Sequence, residues 1–258
     1  MRLKSALRRG VAAAVIAGIV VSSGIPAYAG TWNIADGDIT VKAGDAEGKN
    51  KVSQGETIDK DDTNTVITGE SDKNTVTIDT SKGNVDVTFD DLKIDVSGKA
   101  EGDVSGDGPV DAGKAAVTVQ GDHDAAIELD GDNELKSGDR HAGLEHNQTV
   151  DSEGNVTSGK LTIQDDNDNA GSLTATSGYF GAGIGGGSAK AGQVTITGGT
   201  ITAISGDGAG IGGGQGNMGS NAGNADIEIS GGTIEATGGY ASAGIGGGNW
   251  GDANIKIT

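Results

Sequence analysis

The heptad GAGIGGG at residues 181–187 returns at 208–214, and SAGIGGG follows at 242–248. A motif this unusual, repeated at intervals of about thirty residues, requires stacked copies of one small unit, because such a unit cannot bury its apolar face alone. Beside the copies lie short alternating segments: LTI at 161–163, VTI at 194–196, IEI at 227–229 and IKI at 255–257. Each reads as a strand with apolar residues on one face and polar residues on the other. Their starts are 33, 33 and 28 residues apart, and IEL at 127–129 precedes the first by 34. A second strand follows at Leu135, Leu173, Ile201 and Ile234, and a third apolar position at Leu144, Ile184, Ile211 and Ile245.

Aligned on these intervals, the units predict five inward rows. The first is Ile127, Leu161, Val194, Ile227 and Ile255; the second is Leu129, Ile163, Ile196, Ile229 and Ile257. The others are Leu135-Leu173-Ile201-Ile234, Ser137-Ala175-Ala203-Ala236 and Leu144-Ile184-Ile211-Ile245. Like residues stacked at one strand spacing, with three strands per coil, predict an all-β, right-handed parallel β-helix with coils of about 28–34 residues. The leucine pattern of a horseshoe solenoid and the long antiparallel hairpins of a propeller are both missing. Glycine (49 residues), 3% aromatics and no cysteine would by themselves suit a disordered polymer, but the ladders exclude that.

The chain divides into three parts. Residues 1–29 read as a signal peptide: Arg2, Lys4, Arg8 and Arg9 precede an apolar core, and Ala27-Tyr28-Ala29 offers a cleavage site. Residues 30–126 read as an N-terminal cap with irregular coils, strand-like at 39–41, 66–67, 76–78, 85–89, 92–96 and 117–119, with a polar surface loop at 98–113. Trp32 and the strand after it are expected to close the first coil. Residues 127–258 are the regular glycine-rich coils. The final strand, 254–258, opens a coil that it does not complete, so further coils are expected to follow. Cleavage after Ala29 removes four positive charges and no negative one, taking the net charge from -19 to -23 and leaving Arg140 as the sole arginine. Nucleic acid and anionic membranes would repel such a chain, and no membrane insertion is expected once the signal is cleaved.

The runs AIELDGDNEL (126–135) and HAGLEH (141–146), the ITGGTITA…GAGIGGG repeats and the opening WNIADGDI (32–39) resemble secreted Gram-positive β-helix proteins. These are described as carbohydrate-binding domain proteins with a pectate-lyase-like fold, and the resemblance spans residues 31–258. It implies a secreted or cell-wall-associated protein that binds plant, host or acidic polysaccharide, with calcium as a candidate cofactor.

Several residues are candidates for that chemistry. Loops of varying length follow the third strand of each coil and emerge along one edge, bringing Asn147, Asp151, Glu153, Gln215, Asn217, Asn221 and Trp250 there. Amides suit sugar hydroxyls and an indole can stack on a pyranose; ordinary solvated linkers would carry the same residues. Tyr179, Phe180 and Tyr240 form a second set. Tyr179 and Tyr240 each precede an inward isoleucine by five residues, which predicts platforms two coils, about 10 Å, apart. The oxygen-rich turn at 165–169 points to calcium through Asp165, Asp166 and Asp168, or to a solvated Asx turn. The G-x-G-x-x-G spacing of Gly181, Gly183 and Gly186 is read as corner geometry, because no helix follows it. His141 and His146 are read as loop residues. A lyase would need a strong base beside calcium-holding carboxylates, which one arginine makes hard to assemble; hydrolysis by paired carboxylates stays open. The leading reading is non-catalytic polysaccharide binding, with the structural stalk of a surface adhesin as the alternative and a lyase or hydrolase behind both.

Overall fold

The computed structural model describes residues 30–98, 113–167, 169–216 and 223–258. The signal segment, most of the 98–113 loop, Asp168, Asn217 and Asn221 lie outside the described residues. The regular structure of the described residues is nearly all strand, wound into a parallel β-helix, and its helical content is one turn of 3-10 helix at Ile34–Asp36. No helix among the described residues is long and apolar enough to cross a membrane.

Three faces surround one continuous apolar core. The first stacks Thr31–Asn33, Thr65–Ser71, Val85–Asp95, Ala125–Lys136, Leu161–Gln164, Gly192–Ile196, Ala225–Ile229 and Ala253–Ile257 in parallel order. The long strands Thr65–Ser71, Val85–Asp95 and Ala125–Lys136 run on to the second face, with register irregularities after Thr68 and Asp90. In later coils the second face is a separate strand: Gly171–Thr176, Thr200–Ile204 and Thr233–Thr237. The third face stacks Ile39–Ala43, Val76–Asp79, Val117–Gln120, Leu144–His146, Ile184–Gly185, Ile211–Gly212 and Ile245–Gly246. Strict alternation of β-branched and polar residues produces this shape, since every second side chain must point inward.

The register differs from the sequence reading by two residues in one coil. Leu161 pairs with Ala125 and Ile163 with Ile127, so the coil is 36 residues long and Ala125, not Ile127, heads the first row. On the second face Leu173 stands on Asn133 and Ala175 on Leu135, where sequence spacing had put Leu135 and Ser137. A slip of two keeps every side chain on its own face, so alternation alone cannot detect it. The cause is Asn133. It occupies an inward place, 2% exposed, accepting from the Leu92 amide (2.9 Å) and donating to the carbonyls of Asp130 and Ser172 (3.0 Å each). Ser137 instead stacks with Ser177 and Ser205 at the end of that face, each hydroxyl bonded to backbone. Coil length also ranges more widely than expected, from 22 residues (Thr65 to Val87) to 41 (Val76 to Val117).

The N-terminal end carries a hairpin that alternation did not reveal. Asn50–Gln54 pairs antiparallel with Ile39–Ala43, and Thr57–Asp62 pairs antiparallel with Asn50–Gln54. Asp59, Lys60 and Asp61 put charge on the outer strand, which discourages pairing with another chain. Trp32 is buried: its indole donates to Asp62 (2.6 Å), whose other oxygen accepts the Gly30 amide, and the Lys60 ammonium lies 5.3 Å from its ring centre.

The glycine heptads serve packing. Gly185, Gly212 and Gly246 stack with φ of 128, 132 and 140°. A Cβ on Gly212 would run into the carbonyl oxygen of Gly246, and one on Gly185 into that of Gly212. Only glycine permits both that φ and that approach.

Candidate functional site

A single outward column on the third face explains where a cleft opens. From the N-terminal end it reads Thr40, Thr77, Thr118, Glu145, Gly185, Gly212, Gly246. Glu145 is therefore the last side chain before the column becomes bare backbone. Its carboxylate folds down beside the glycine coil, close enough that a Cβ on Gly187 would crowd Glu145 Oε2. Glu145 is 7% exposed; Oε2 accepts from the Ala142 amide (3.2 Å) and pairs with His141 Nδ1 (2.9 Å), and Oε1 accepts from Asn147 (3.1 Å). Asn147 continues the chain of contacts by accepting the Gly187 amide (2.9 Å).

Beside this network lies a cleft of about 530 Å³ lined by Arg140, His141, Glu145, Asn147, Phe180, Gly187, Ser188, Ala189, Lys190, Gln215 and Gly216. Three of its non-glycine residues hold positive φ: Arg140 at 70°, Phe180 at 75° and Ala189 at 55°. Such conformations cost roughly 1–3 kcal/mol each and gather at functional sites. The stacked loops enforce them. The Arg140 amide donates to the Tyr179 carbonyl and its own carbonyl accepts from Ser188, both at 2.7 Å. The Phe180 carbonyl accepts from the Gln215 amide (2.7 Å), and the Ala189 amide donates to the Gln215 carbonyl (2.9 Å). The Arg140 guanidinium then sits 5.4 Å from the Phe180 ring centre.

Electrostatically the cleft opposes the rest of the chain. A protein of net charge -19 places its sole arginine after residue 29, a lysine and a histidine around one concavity. The hydrogen bond to Glu145 raises the His141 pKa above its ordinary value; partial burial opposes the shift and the Glu145 charge reinforces it. A protonated His141 neutralises Glu145, leaving Arg140 and Lys190 to face an anion, with Phe180 as an apolar wall and Ser188 and Gln215 as hydrogen-bonding groups.

The expected site residues fall into four groups. Phe180, Asn147 and Gln215 line the cleft. Tyr179 is 53% exposed and touches Phe180, ring centres 6.2 Å apart, while Tyr240 and Trp250, 78% and 60% exposed, take no part in the cleft. Asn217 and Asp168 lie outside the described residues. Asp165 and Asp166 do share the enlarged turn. The Asp166 and Asn167 amides donate to Glu128 (2.9 and 3.1 Å), Asn167 donates to Asp130 (2.6 Å), and Asp165 Oδ2 accepts from Gly171 (3.3 Å). Among the described residues, Asp165 Oδ1 is buried without a hydrogen-bond partner. Among the described residues no three His, Cys, Asp or Glu side chains converge to hold a metal ion.

His146 is not a loop residue. It ends the strand Leu144–His146, stands on Val119 in an inward row and is 2% exposed, its ring nitrogens facing the carbonyls of Val119 (3.2 Å) and Gly159 (2.9 Å). Sequence reasoning did not select Arg140, His141, Glu145 or Lys190 for the site. The signals available were the solitary arginine and the glutamate at the place where later coils carry glycine.

A family model described as Beta helix repeat matches residues 169–188, 194–215 and 227–249. No curated protein and no solved structure matches the chain. The chain is a parallel β-helix protein. The matched stretches cover the glycine-bearing second and third strands of three successive coils. Arg140, His141, Glu145 and Asn147 lie before the first of them, so the cleft forms where the repeat array meets an irregular coil.

Proposed function

We propose that this protein is a secreted or cell-surface carbohydrate-binding β-helix that holds an acidic polysaccharide in the Arg140–Phe180–Lys190 cleft without cleaving it. The observation carrying this reading is the concentration of Arg140, Lys190 and His141 in one strained concavity of a strongly acidic chain. Arg140 offers a planar fork suited to a carboxylate or sulfate, and Lys190 offers a point charge. Phe180 gives the sugar ring an apolar surface, while Ser188 and Gln215 supply hydroxyl partners. Stacked neighbouring loops continue along the same edge, so a polymer can run past the cleft in either direction.

Affinity electrophoresis through gels containing polygalacturonate, or a neutral glucan for comparison, tests the reading. Retardation by polygalacturonate that weakens with salt and is lost in Arg140→Ala/Lys190→Ala is the expected result. Equal retardation by both gels, or an unchanged double variant, overturns it. An intact fold with no retardation in either gel would favour the adhesin-stalk reading. Appearance of new sugar ends in the polygalacturonate would favour a catalytic one.

A further inference from the structure

A second concavity, of about 340 Å³, lies on the outer side of the first face near the N-terminal end. One wall is the hairpin. Asn50, 6% exposed, reaches from it to donate to Thr65 Oγ1 (2.9 Å) and to the Asp86 carbonyl (2.7 Å), fixing the hairpin against two coils. Asn64, Asn84 and Gln164 add amides to the lining, and Asp86 and Glu128 add carboxyl groups. Asp86 stands opposite Ala126 and Thr88 opposite Glu128. The two acids are thus diagonal neighbours on adjacent strands, with Cβ atoms about 8 Å apart.

The two carboxyl groups are in different states of engagement. Glu128 is held by the amides of Asp166 and Asn167 and by the Gln164 side chain (3.1 Å). Among the described residues nothing comparable supports Asp86, and no Lys, Arg or His lines the groove. Although Asp86 counts as exposed overall, the groove walls withdraw solvent from its carboxyl and raise its pKa. The groove therefore offers negative charge and amides, and it lacks a positive partner.

We infer that this groove is a second binding site, which takes the protonated amine of an amino sugar against Asp86 and Glu128 and the ring hydroxyls against the surrounding amides. The ammonium supplies the missing counter-charge, and the amides can both donate to and accept from hydroxyls. A bare polyamine shares the charge but cannot use the amides. This groove and the Arg140 cleft carry opposite charge, so their ligands belong to different chemical classes, and neither site depends on the other.

Isothermal titration of the full chain at mildly acidic pH, with a glucosamine tetramer, its N-acetylated counterpart and spermidine, tests the inference. The tetramer is expected to bind about tenfold more tightly than either of the others, and Asp86→Asn to weaken it about tenfold. Asp86 points outward, so an unaltered thermal midpoint and unaltered migration in polygalacturonate would show that Asp86→Asn leaves the fold and the other cleft intact. Equal affinity for spermidine or for the N-acetylated tetramer, no binding of the tetramer, or an Asp86→Asn variant that binds it as the wild type does, overturns the inference.

Discussion

Replacing Gly212 with alanine probes how the glycine coils hold together. Gly212 sits at φ 132° with the Gly246 carbonyl where a methyl would go and the Ala225 side chain on the other side. The backbone conformation alone costs an alanine roughly 1–3 kcal/mol. Forcing the methyl into a packed stack adds about 1–3 kcal/mol more. The expected destabilisation is therefore about 2–6 kcal/mol. Gly48 is the matched control, with φ 71° and open space around it, so Gly48→Ala bears only the conformational cost of about 1–2 kcal/mol. Thermal unfolding followed by far-UV circular dichroism separates the two, at about 2–4 °C per kcal/mol for a chain of this size. In a solenoid the damage should spread to adjacent coils first, so hydrogen exchange should show protection lost around 184–185 and 245–246 before the N-terminal coils. Equal midpoints for the two variants would refute the claim that close backbone stacking is why these glycines are there.

Asn133→Leu would restore the apolar row that spacing alone suggests, yet it should destabilise by about 2–4 kcal/mol, because the Leu92 amide and two carbonyls lose their partner; urea unfolding measures it. Asp62→Ala should cost about 2–3 kcal/mol locally by stranding the Trp32 indole and the Gly30 amide, and should shift Trp32 fluorescence toward that of a solvated indole before global unfolding. His141 has a raised folded-state pKa, so its contribution to stability is full below the unfolded value and is lost as pH rises through the folded one. Thermal midpoints across that window should fall in the wild type and flatten in His141→Gln. Binding of an acidic glycan should weaken over the same rise in pH, since deprotonation leaves Glu145 uncompensated beside the ligand.

Much of the fold was legible because a strand needs only a two-residue period, and LTI, VTI, IEI and IKI display it without ambiguity. Residues whose inward place is polar or small were not legible. Asn133 and Ala125 carry no apolar signal, so the reading moved to the next leucine or isoleucine and the register slipped by two. The hairpin escaped notice for a related reason: TIDKDD is an outer strand with little to bury, and only its pairing partner makes it a strand. The cleft was harder still. Arg140, Phe180 and Gln215 are separated by 40 and 35 residues and meet only because three coils stack. Exposed aromatics such as Tyr240 and Trp250 drew attention in sequence because an aromatic face can stack on a sugar ring, while the placement of Lys190 depends on the coil's return path. The buried Glu145 could have been found by aligning the third-face column, where it alone stands between threonines and glycines.

Arg140, Lys190 and Phe180 are proposed to meet an acidic sugar in one place. Backbone and side-chain amide chemical shifts, recorded while a galacturonate oligomer is titrated into the protein, test that most directly. Perturbations confined to residues 140–147, 180, 187–190 and 215–216, including the Arg140 guanidinium, are the predicted result. Perturbations centred on Tyr240 and Trp250, on the first-face groove, or nowhere at all would contradict it.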